Sequence, residues 1–399
     1  MIFYVLVAGI SAIVSFGFAL LTWKLSTKFR LYPKIRARDV HTHPTPRLGG
    51  LAMFFGVLAA FAVASHISWF HLVFVQPAQV YAILGAALII VSIGVADDIW
   101  DLDWMTKLTG QLIAAGLLAW QGVQLVSLPI GGLTGLSAYM SLVITVLVVV
   151  LVMNAVNFID GLDGLVAGVA IIANGVFFIY SYYLARIVGE AEYFNLASLT
   201  TAILIGACVG FLPLNWHPAK LFMGDAGALL VGLLMATSAI SVTGQIDPIW
   251  LEQSGKLLLP AFIPILLPLA ILVVPLLDFA LAVIRRLRAG KSPFSADRKH
   301  LHHRLLDMGH THFHAVLVFY AWSAVVAIGG LLLLFVPAAV AAAIVVAGLA
   351  GCTWLTLAPL TRRKAGEIAA QSAQPGDSAA AASPHLDPLD SASVTKETP

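Results

Sequence analysis

The stretch AYMSLVITVLVVVLVMNAVNFIDGLDG, residues 138–164, decides the fold class of this chain. Its first part is almost wholly apolar and is long enough to cross a bilayer as a helix, which takes about 20 residues. Its second part carries Asn154, Asn157, Asp160 and Asp163, with a glycine after each aspartate. An apolar run that leads directly into amides and carboxylates predicts a membrane helix with a polar site at the edge of the bilayer.

The composition extends this interpretation to most of the chain. Hydrophobic residues make up 60% of the sequence and charged residues only 11%, with a mean hydropathy of +0.94, whereas a soluble domain has about 25% charged residues. We therefore predict an all-α polytopic membrane domain over residues 1–360 with eleven transmembrane helices. The predicted spans are 2–23, 49–65, 79–96, 107–124, 138–156, 164–184, 198–213, 226–245, 257–284, 315–336 and 338–359.

The distribution of lysine and arginine predicts the orientation. With the N-terminus outside, 20 of the 22 basic residues lie on the cytoplasmic side, and only Arg186 and Lys256 lie outside. The positive-inside rule favours this arrangement over its inverse. The cytoplasmic loops that would carry the active site are 24–48, 97–107, 157–164, 213–225 and 285–314. Residues 361–399 contain few large apolar residues and are predicted to form a disordered cytoplasmic tail.

The first polar segment ends the third predicted span. It contains Asp97, Asp98 and Asp101, and Lys107 follows. If the helix continued for one more turn, Asp101 would share a face with one of the two adjacent aspartates. Carboxylates in this position are suited to Mg²⁺, which uses one or two protein carboxylates together with substrate phosphates. The alternative is a hydrophilic turn that caps two helices.

The second polar segment combines two asparagines with two Asp-Gly turns. Asn154 and Asn157 are neighbours on one helix face, where polar side chains are costly unless they serve a cavity or another helix. They are candidate substrate contacts, and interhelical hydrogen bonding is the alternative. The glycines after Asp160 and Asp163 end the helix and let the backbone approach a ligand closely.

The third polar segment leads into the eighth predicted span. Gly224 permits a tight entry to the helix, and Asp225 stands at the helix N-terminus, either as a metal ligand or as a cap. Lys220 precedes them as a candidate substrate contact. Phe222 is placed to stack on a base, although a single phenylalanine is more often part of a core.

The fourth polar segment, residues 285–314, contains seven basic residues and six of the twelve histidines. A basic cytoplasmic loop is usually a topology signal or a patch for anionic lipids. The cluster of Arg298, His300, His302 and His303 exceeds that expectation. No cysteine accompanies these histidines, so hydrogen bonding to a diphosphate or a sugar is favoured over a zinc site.

Taken together, the four segments resemble those of the polyprenyl-phosphate N-acetylhexosamine-1-phosphate transferase superfamily, glycosyltransferase family 4. The resemblance covers about residues 30–310 and includes Pro-Thr-Pro-Arg-Leu-Gly-Gly at 44–50. The order His-Leu-His-His at 300–303 is similar to the N-acetylglucosamine branch, whereas the pentapeptide branch carries three consecutive histidines and then an acidic residue. One departure is Ala228, where many relatives have serine.

The resemblance implies an enzyme of the bacterial plasma membrane that begins the membrane stage of cell-envelope glycan synthesis. Such an enzyme transfers N-acetylglucosamine-1-phosphate from UDP-N-acetylglucosamine to a polyprenyl phosphate, undecaprenyl or decaprenyl, and releases UMP. Mg²⁺ is the implied cofactor, with Mn²⁺ as the alternative. The lipid bilayer is a partner and nucleic acid is not. A homodimer is an assembly that the sequence leaves open.

The resemblance also implies roles for individual residues. It places Asp225 and Asn157 at the metal and Lys107 at the diphosphate. The implied catalytic residues are Asp97, Asp98, Lys107 and Asp225. The implied substrate-binding residues are Asn154, Asn157, Asp160, Asp163, Lys220, Phe222, Arg298, His300, His302 and His303, with Asp160, Asp163 and Phe222 around the uridine.

The roles of Asp97 and Asp98 stay open at the level of the sequence. An aspartate base for the acceptor phosphate is one hypothesis. A phosphate monoester has a second pKa near about 6, so the acceptor is already mostly a dianion at neutral pH and needs little help from a base. Positioning of Lys107 or of the metal is therefore an equal candidate.

Three other functions are weighed against this one. A phospho-MurNAc-pentapeptide transferase of the same family differs mainly in the histidine segment. A membrane transporter would carry its polar residues near the bilayer midplane, often in repeated halves, whereas here they lie at one edge. A CDP-alcohol phosphotransferase would carry Asp-Gly-x-x-Ala-Arg, which is missing.

The predicted orientation is testable by cysteine labelling in intact cells. A cysteine introduced near Glu190 should react with an impermeant maleimide from outside, because the loop there is predicted to be extracytoplasmic. A cysteine near Ala380 should react only after permeabilisation. The reverse pattern of labelling would move every predicted active-site residue to the other side of the membrane.

Overall fold

The computed structural model describes residues 1–29, 45–129, 133–188, 192–243, 280–281, 283–288, 290 and 305–373. The α-helices are α1 (Ile2–Phe29), α2 (Gly49–Ala64), α3 (His71–Val75), α4 (Pro77–Trp100), α5 (Trp104–Trp120), α6 (Ala138–Ile159), α7 (Leu165–Val188), α8 (Glu192–Asn215), α9 (Gly224–Thr243), α10 (His312–Leu332) and α11 (Ala338–Ala373). A short 3₁₀ helix, Ser68–Phe70, precedes α3. The all-α prediction is confirmed for the described residues, apart from one short hairpin of β1 (Ser127–Pro129) and β2 (Leu133–Gly135), which pair antiparallel.

The predicted spans fall on these helices, except that most of 257–284 lies outside the described residues. Among the described helices, α1, α4 and α6 to α11 are long and apolar enough to cross a membrane, which makes eight. A ninth results if α2 and the helical segment Ser68–Val75, bent by 94° at the break between them, form one span. The count of eleven and the orientation stay predictions.

Two helices run further than the apolar pattern predicts. The helix α4 continues through Asp97 and Asp98 to Trp100, and α6 continues through Asn157 to Ile159. The predicted spans end at residues 96 and 156, directly before Asp97 and Asn157, and polar groups in a membrane helix are costly without partners. The structure supplies such partners, so the helices continue past that point.

The predicted boundary at residue 360 needs a correction. The helix α11 continues to Ala373, so the first part of the segment predicted to be disordered is helical. Residues 361–373 contain few large apolar side chains, which drove the prediction, but they are rich in alanine, arginine, lysine and glutamate, which favour helix. Residues 374–399 lie outside the described residues. The chain divides into two compact units, Met1–Thr356 and a second that begins at Leu357.

The helix α9 is the centre of the packed bundle. It contacts α2, α4, α6 and α8, and its most apolar stretch is 83% buried, compared with 11% for α11. A helix that is apolar on all sides belongs inside a bundle. The N-terminus of α9 is therefore held by neighbours on several sides, and this is where Asp225 lies.

Two backbone approaches fix the N-terminus of α9. The segment before α2 pairs with the segment before α9, because Phe222 donates to the Pro46 carbonyl at 2.8 Å and Gly50 donates to the Met223 carbonyl at 2.9 Å. On the other side, a side chain at Gly94 of α4 would collide with the backbone of Ala226. The glycine therefore allows α4 and α9 to meet backbone to backbone.

This contact predicts opposite effects for two glycine substitutions. An exposed helical glycine replaced by alanine gains about 0.5–1 kcal/mol of stability from helix propensity. We expect Gly94→Ala to lower the thermal stability of the purified protein despite that gain, because its methyl group would push α9 away. The matched control is Gly116→Ala on α5, where the added Cβ meets nothing within 4 Å. Equal melting temperatures for both variants in detergent would contradict this account of the contact.

Candidate active site

Three helix ends bring charged residues from distant parts of the sequence together. The Lys107 ammonium, at the start of α5, donates to Asp97 Oδ2 at 2.8 Å and to Asp225 Oδ2 at 3.1 Å. Asp97 lies near the end of α4 and Asp225 in the first turn of α9. Two carboxylates would repel each other here without a cation, so Lys107 stabilises their approach.

The two adjacent aspartates face different partners. Asp97 is buried with its side chain 4% exposed, and its Oδ1 accepts from the Leu102 amide at 2.8 Å. Asp98 accepts from the backbone amides of Asp225 and Ala226 at 3.2 and 3.5 Å. Its carboxylate therefore caps α9 from another helix, where both the free N–H groups and the helix dipole favour a negative charge.

Gly224 makes this capping contact sterically feasible. Its φ is +70°, in the left-handed region that favours glycine, and an added Cβ would collide with the Arg47 carbonyl and the Asp98 carboxylate. The glycine thus serves both the turn into α9 and the close approach of Asp98. The role that the sequence suggests for Gly224 as a tight helix entry agrees with this geometry.

Asp101 would share a helix face with one of the paired aspartates only if α4 continued for another turn, and it does not. The helix α4 ends at Trp100, and Asp101 turns the chain away with a φ of 54°. Asp103 then caps α5, accepting from the Thr106 amide at 3.0 Å. The alternative of a hydrophilic capping turn thus describes Asp101 and Asp103, whereas Asp97 and Asp98 lie in the cluster.

The Asp225 side chain remains partly accessible to solvent. This side chain is 31% exposed, compared with 4% for Asp97, and the Asn157 side chain is a neighbour of its carboxylate. Carboxylate and amide oxygens are ligands that Mg²⁺ accepts. The described residues contain no cage of three or more His, Cys, Asp or Glu side chains that could hold a metal. This donor set fits an ion that takes its remaining ligands from water and phosphate, as Mg²⁺ does.

The second asparagine of the pair has another partner. The Asn154 amide nitrogen donates to Gln111 Oε1 on α5 and to the Val150 carbonyl, the latter at 2.8 Å. Gln111 is buried. The geometry of Asn154 therefore matches the interhelical alternative, in which it joins α5 to α6 just behind Lys107.

Asp160 follows α6 and lies in the field of several charges. Loss of hydration raises the pKa of its carboxyl to about 7, and the negative charges of Asp225 and Asp163 act in the same direction. The Arg47 guanidinium opposes this shift and lowers the pKa of Asp160. The charges of Asp160 and Asp225 therefore interact.

Asp163 anchors the loop that leads to Asp225. It is buried, and its Oδ2 accepts from the Ala219 amide at 3.1 Å and lies 2.8 Å from His217 Nδ1. The ring of His217 also stacks on His312 at the start of α10, with centroids 5.4 Å apart. The carboxylate of Asp163 is therefore turned to the protein, and it positions the 216–220 loop.

The other predicted contacts are spread around this cluster. The Lys220 ammonium lies 5.4 Å from the centre of the Trp23 ring of α1, and Phe222 holds its position through the backbone pairing with Pro46 and Gly49. Arg298, His300, His302 and His303 lie outside the described residues. Lys107, Asp97, Asp98, Asn157, Asp160 and Asp225 are thus the predicted residues that the structure brings together.

Comparison with known proteins shows the family of this chain. Residues 80–243 match glycosyl transferase family 4. A decaprenyl-phosphate N-acetylglucosaminephosphotransferase of Mycobacterium leprae is 40% identical over 369 residues, which are 90% of this chain and 91% of the relative. The chain belongs to glycosyl transferase family 4.

Further relatives in the family support the assignment. The protein of the same name from Mycobacterium tuberculosis is 40% identical over 341 residues, covering 83% of this chain and 82% of the relative. An undecaprenyl-phosphate alpha-N-acetylglucosaminyl 1-phosphate transferase of Salmonella typhi is 26% identical and covers 74% of each chain. The family that the sequence motifs resemble is therefore confirmed.

Three polar residues that support the site through hydrogen bonds were not predicted from the sequence. Gln111 binds Asn154, and His217 pairs with Asp163. Asn215 accepts from the Gly164 amide at 3.0 Å and donates to the Leu221 carbonyl at 3.1 Å, so it ties two site loops together. Gln111 and Asn215 could have been noticed as amides within or at the end of apolar spans. Nothing local distinguishes His217.

Proposed function

We propose that this chain transfers N-acetylglucosamine-1-phosphate from UDP-N-acetylglucosamine to a polyprenyl phosphate and releases UMP. The observation that carries the proposal is Lys107 held between Asp97 and Asp225 at the N-terminus of α9. A fixed ammonium beside an accessible carboxylate suits a diphosphate and its counter-ion. Relatives at 40% identity are named for the same transfer to decaprenyl phosphate.

The reaction exchanges one phosphoanhydride for another. An oxygen of the lipid phosphate attacks the phosphorus that bears the sugar, and the bond from that phosphorus to the uridine-side phosphate breaks. UMP leaves with the bonding electron pair, and no oxidant, reductant or water is consumed. Since the acceptor is mostly a dianion at neutral pH, the residues of the chain need to place and neutralise charge rather than remove a proton.

Lys107 is the residue best placed to neutralise that charge. Its ammonium is fixed by two carboxylates, so little side-chain freedom is lost when a phosphate arrives. We assign Asp97 the role of positioning Lys107, because its own carboxylate is buried and occupied by Lys107 and the Leu102 amide. Asp98 positions Asp225 through the backbone of α9.

Asp225 and Asn157 are the residues that would hold Mg²⁺, or Mn²⁺ in its place. A divalent ion bound there would lower the charge repulsion between the two phosphates and stabilise the leaving UMP. The partial exposure of Asp225 and the neighbouring amide support this assignment. Asp160, Asp163 and Phe222 then belong to the uridine side, with Asp163 acting through the loop that it anchors.

The cytoplasmic face of a bacterial plasma membrane is the proposed location of the site. The bias of basic residues supports an external N-terminus and eleven spans, and UDP-sugars are made in the cytoplasm. The lipid bilayer is then both the solvent of the helices and the source of the acceptor. A homodimer is compatible with this arrangement.

The pH dependence of turnover distinguishes two roles for Asp98: positioning the start of α9, or acting as a general base. Asp98→Asn removes the negative charge and one of the two acceptors at the start of α9, so we expect turnover to fall at least about 10-fold, which corresponds to 1.4 kcal/mol. The fall should be equal at every pH from 5.5 to 9, roughly the range around the second pKa of the acceptor. Asp103→Asn is the control, because asparagine caps a helix as well as aspartate does. Recovery of Asp98→Asn at high pH would identify Asp98 as a base instead.

The donor is tested by UMP release from the purified protein with Mg²⁺ and a polyprenyl phosphate. UDP-N-acetylglucosamine should support turnover and UDP-MurNAc-pentapeptide should not, because the histidine segment has the His-Leu-His-His order. Asp225→Asn should be folded and inactive, since it removes the charge of the proposed metal ligand without changing its shape. Turnover of the pentapeptide donor at a similar rate would place the chain in the other branch.

A further inference from the structure

The helix α10 contacts two separate loops of the candidate site. Near the N-terminus of the helix, the ring of His312 stacks on His217, with centroids 5.4 Å apart. Two turns further along, the Tyr320 hydroxyl donates to the carbonyl of Gly164 at 2.6 Å. Gly164 closes the turn of residues 160–164, which carries the two aspartates that we assign to the uridine side. One helix therefore supports both loops.

Gly164 is fixed by hydrogen bonds to side chains at both its amide and its carbonyl. The amide donates to Asn215, at the end of α8, at 3.0 Å. The carbonyl accepts from the Gly168 amide at 3.0 Å as well as from Tyr320. The bond from Gly168 is enough to start α7. The hydroxyl of Tyr320 is thus not needed for the helix, and it fixes the preceding turn relative to α10.

The packing around Tyr320 directs its hydroxyl towards the turn. The ring lies against Gly168 of α7, where an added Cβ would collide with both the hydroxyl and the ring. The side chain between the two aspartates, Leu162, is buried in one hydrophobic cluster with Phe319, and Tyr320 packs against that cluster. The turn and this part of α10 therefore form one packed unit.

We infer that Tyr320 is a positioning residue for the sugar-nucleotide donor. It acts by holding the turn that carries Asp160 and Asp163, and the inference rests on the proposed function, which assigns these aspartates to the uridine side. A turn that is already held in place loses little conformational freedom when a ligand binds, and this strengthens binding. Loss of the hydroxyl should therefore weaken binding of the donor. The acceptor phosphate is not assigned to this turn, so its binding should not change.

Tyr320→Phe tests the inference because it removes the hydroxyl and keeps the ring. With the full chain in nanodiscs, we expect the KM for UDP-N-acetylglucosamine to rise about 3-fold to 10-fold, the size of one lost hydrogen bond. The KM for the polyprenyl phosphate should stay unchanged. The matched control is Tyr180→Phe on α7, because the Tyr180 hydroxyl is buried and has no hydrogen-bonding partner among the described residues. Both KM values of this control should equal those of the wild type.

Comparison of the two KM values distinguishes positioning from a general effect on folding. A destabilised protein contains less active enzyme, which lowers the apparent kcat and leaves both KM values unchanged. A positioning residue for the donor changes the donor KM alone. An unchanged donor KM in Tyr320→Phe, or an equal rise in both KM values, would overturn the inference.

Gly168→Ala tests the same contact from the other helix. Its methyl group would displace the Tyr320 ring, so the donor KM should rise at least as much as in Tyr320→Phe. Gly175→Ala on the same helix is the matched control, since its added Cβ meets nothing within 4 Å. Equal donor KM values for the two glycine variants would contradict the inference.

A direct binding measurement separates failure of this inference from failure of the proposed function. Isothermal titration with UDP-N-acetylglucosamine, in the absence of acceptor, gives the donor affinity without turnover. If the wild type binds the donor but releases no UMP when polyprenyl phosphate is added, the proposed transfer fails, and weaker binding by Tyr320→Phe still supports the role of Tyr320. If the wild type releases UMP and both proteins bind the donor equally, only the role of Tyr320 is rejected. A wild-type protein that does not bind the donor would overturn both proposals.

Discussion

The site depends on the compensation of charge where helices leave the bilayer. Asp97, Asp225 and Lys107 lie together with side chains that are 4% to 31% exposed, and removal of one member from such a group typically costs about 3–5 kcal/mol because the others stay charged and unpaired. Lys107 is the only lysine or arginine in the polar segment that follows α4. The two carboxylates at the ends of α4 and α9 thus share a single ammonium group, which is supplied by α5.

The same interactions that stabilise the bundle also prepare it for a substrate. Asp98 accepts hydrogen bonds from the free amides at the start of α9, and the 46–50 segment pairs with the backbone just before α9. A helix terminus that is held from several sides does not need to reorganise when a charged ligand arrives, and such preorganisation is the main source of electrostatic catalysis. The helix α9 is central for packing and for chemistry for the same reason.

Several site residues contact other protein groups rather than the space in which a ligand would bind. Asn154 joins two helices through Gln111, and Asp163 holds the loop of His217 and Ala219. Neither partner is close in the sequence, so the motifs alone could not separate a residue that contacts the ligand from one that supports it. For Asp97 and Asp98 the two roles also differ, although the residues are adjacent, because successive side chains on a helix point about 100° apart.

The sequence by itself determined the fold class, the family and the residues of the four polar segments. The length of an apolar run and the spacing of residues in a motif are local properties, so they can be recognised without knowing how the helices pack. Only the tertiary structure decided that Lys107 bridges Asp97 and Asp225 and that Asp98 caps α9. These features join residues up to 128 positions apart, and such pairings depend on which helix faces meet. Glycines such as Gly94, which pack against a neighbouring backbone, determine which helix faces meet. No local sequence pattern shows which backbone such a glycine will contact.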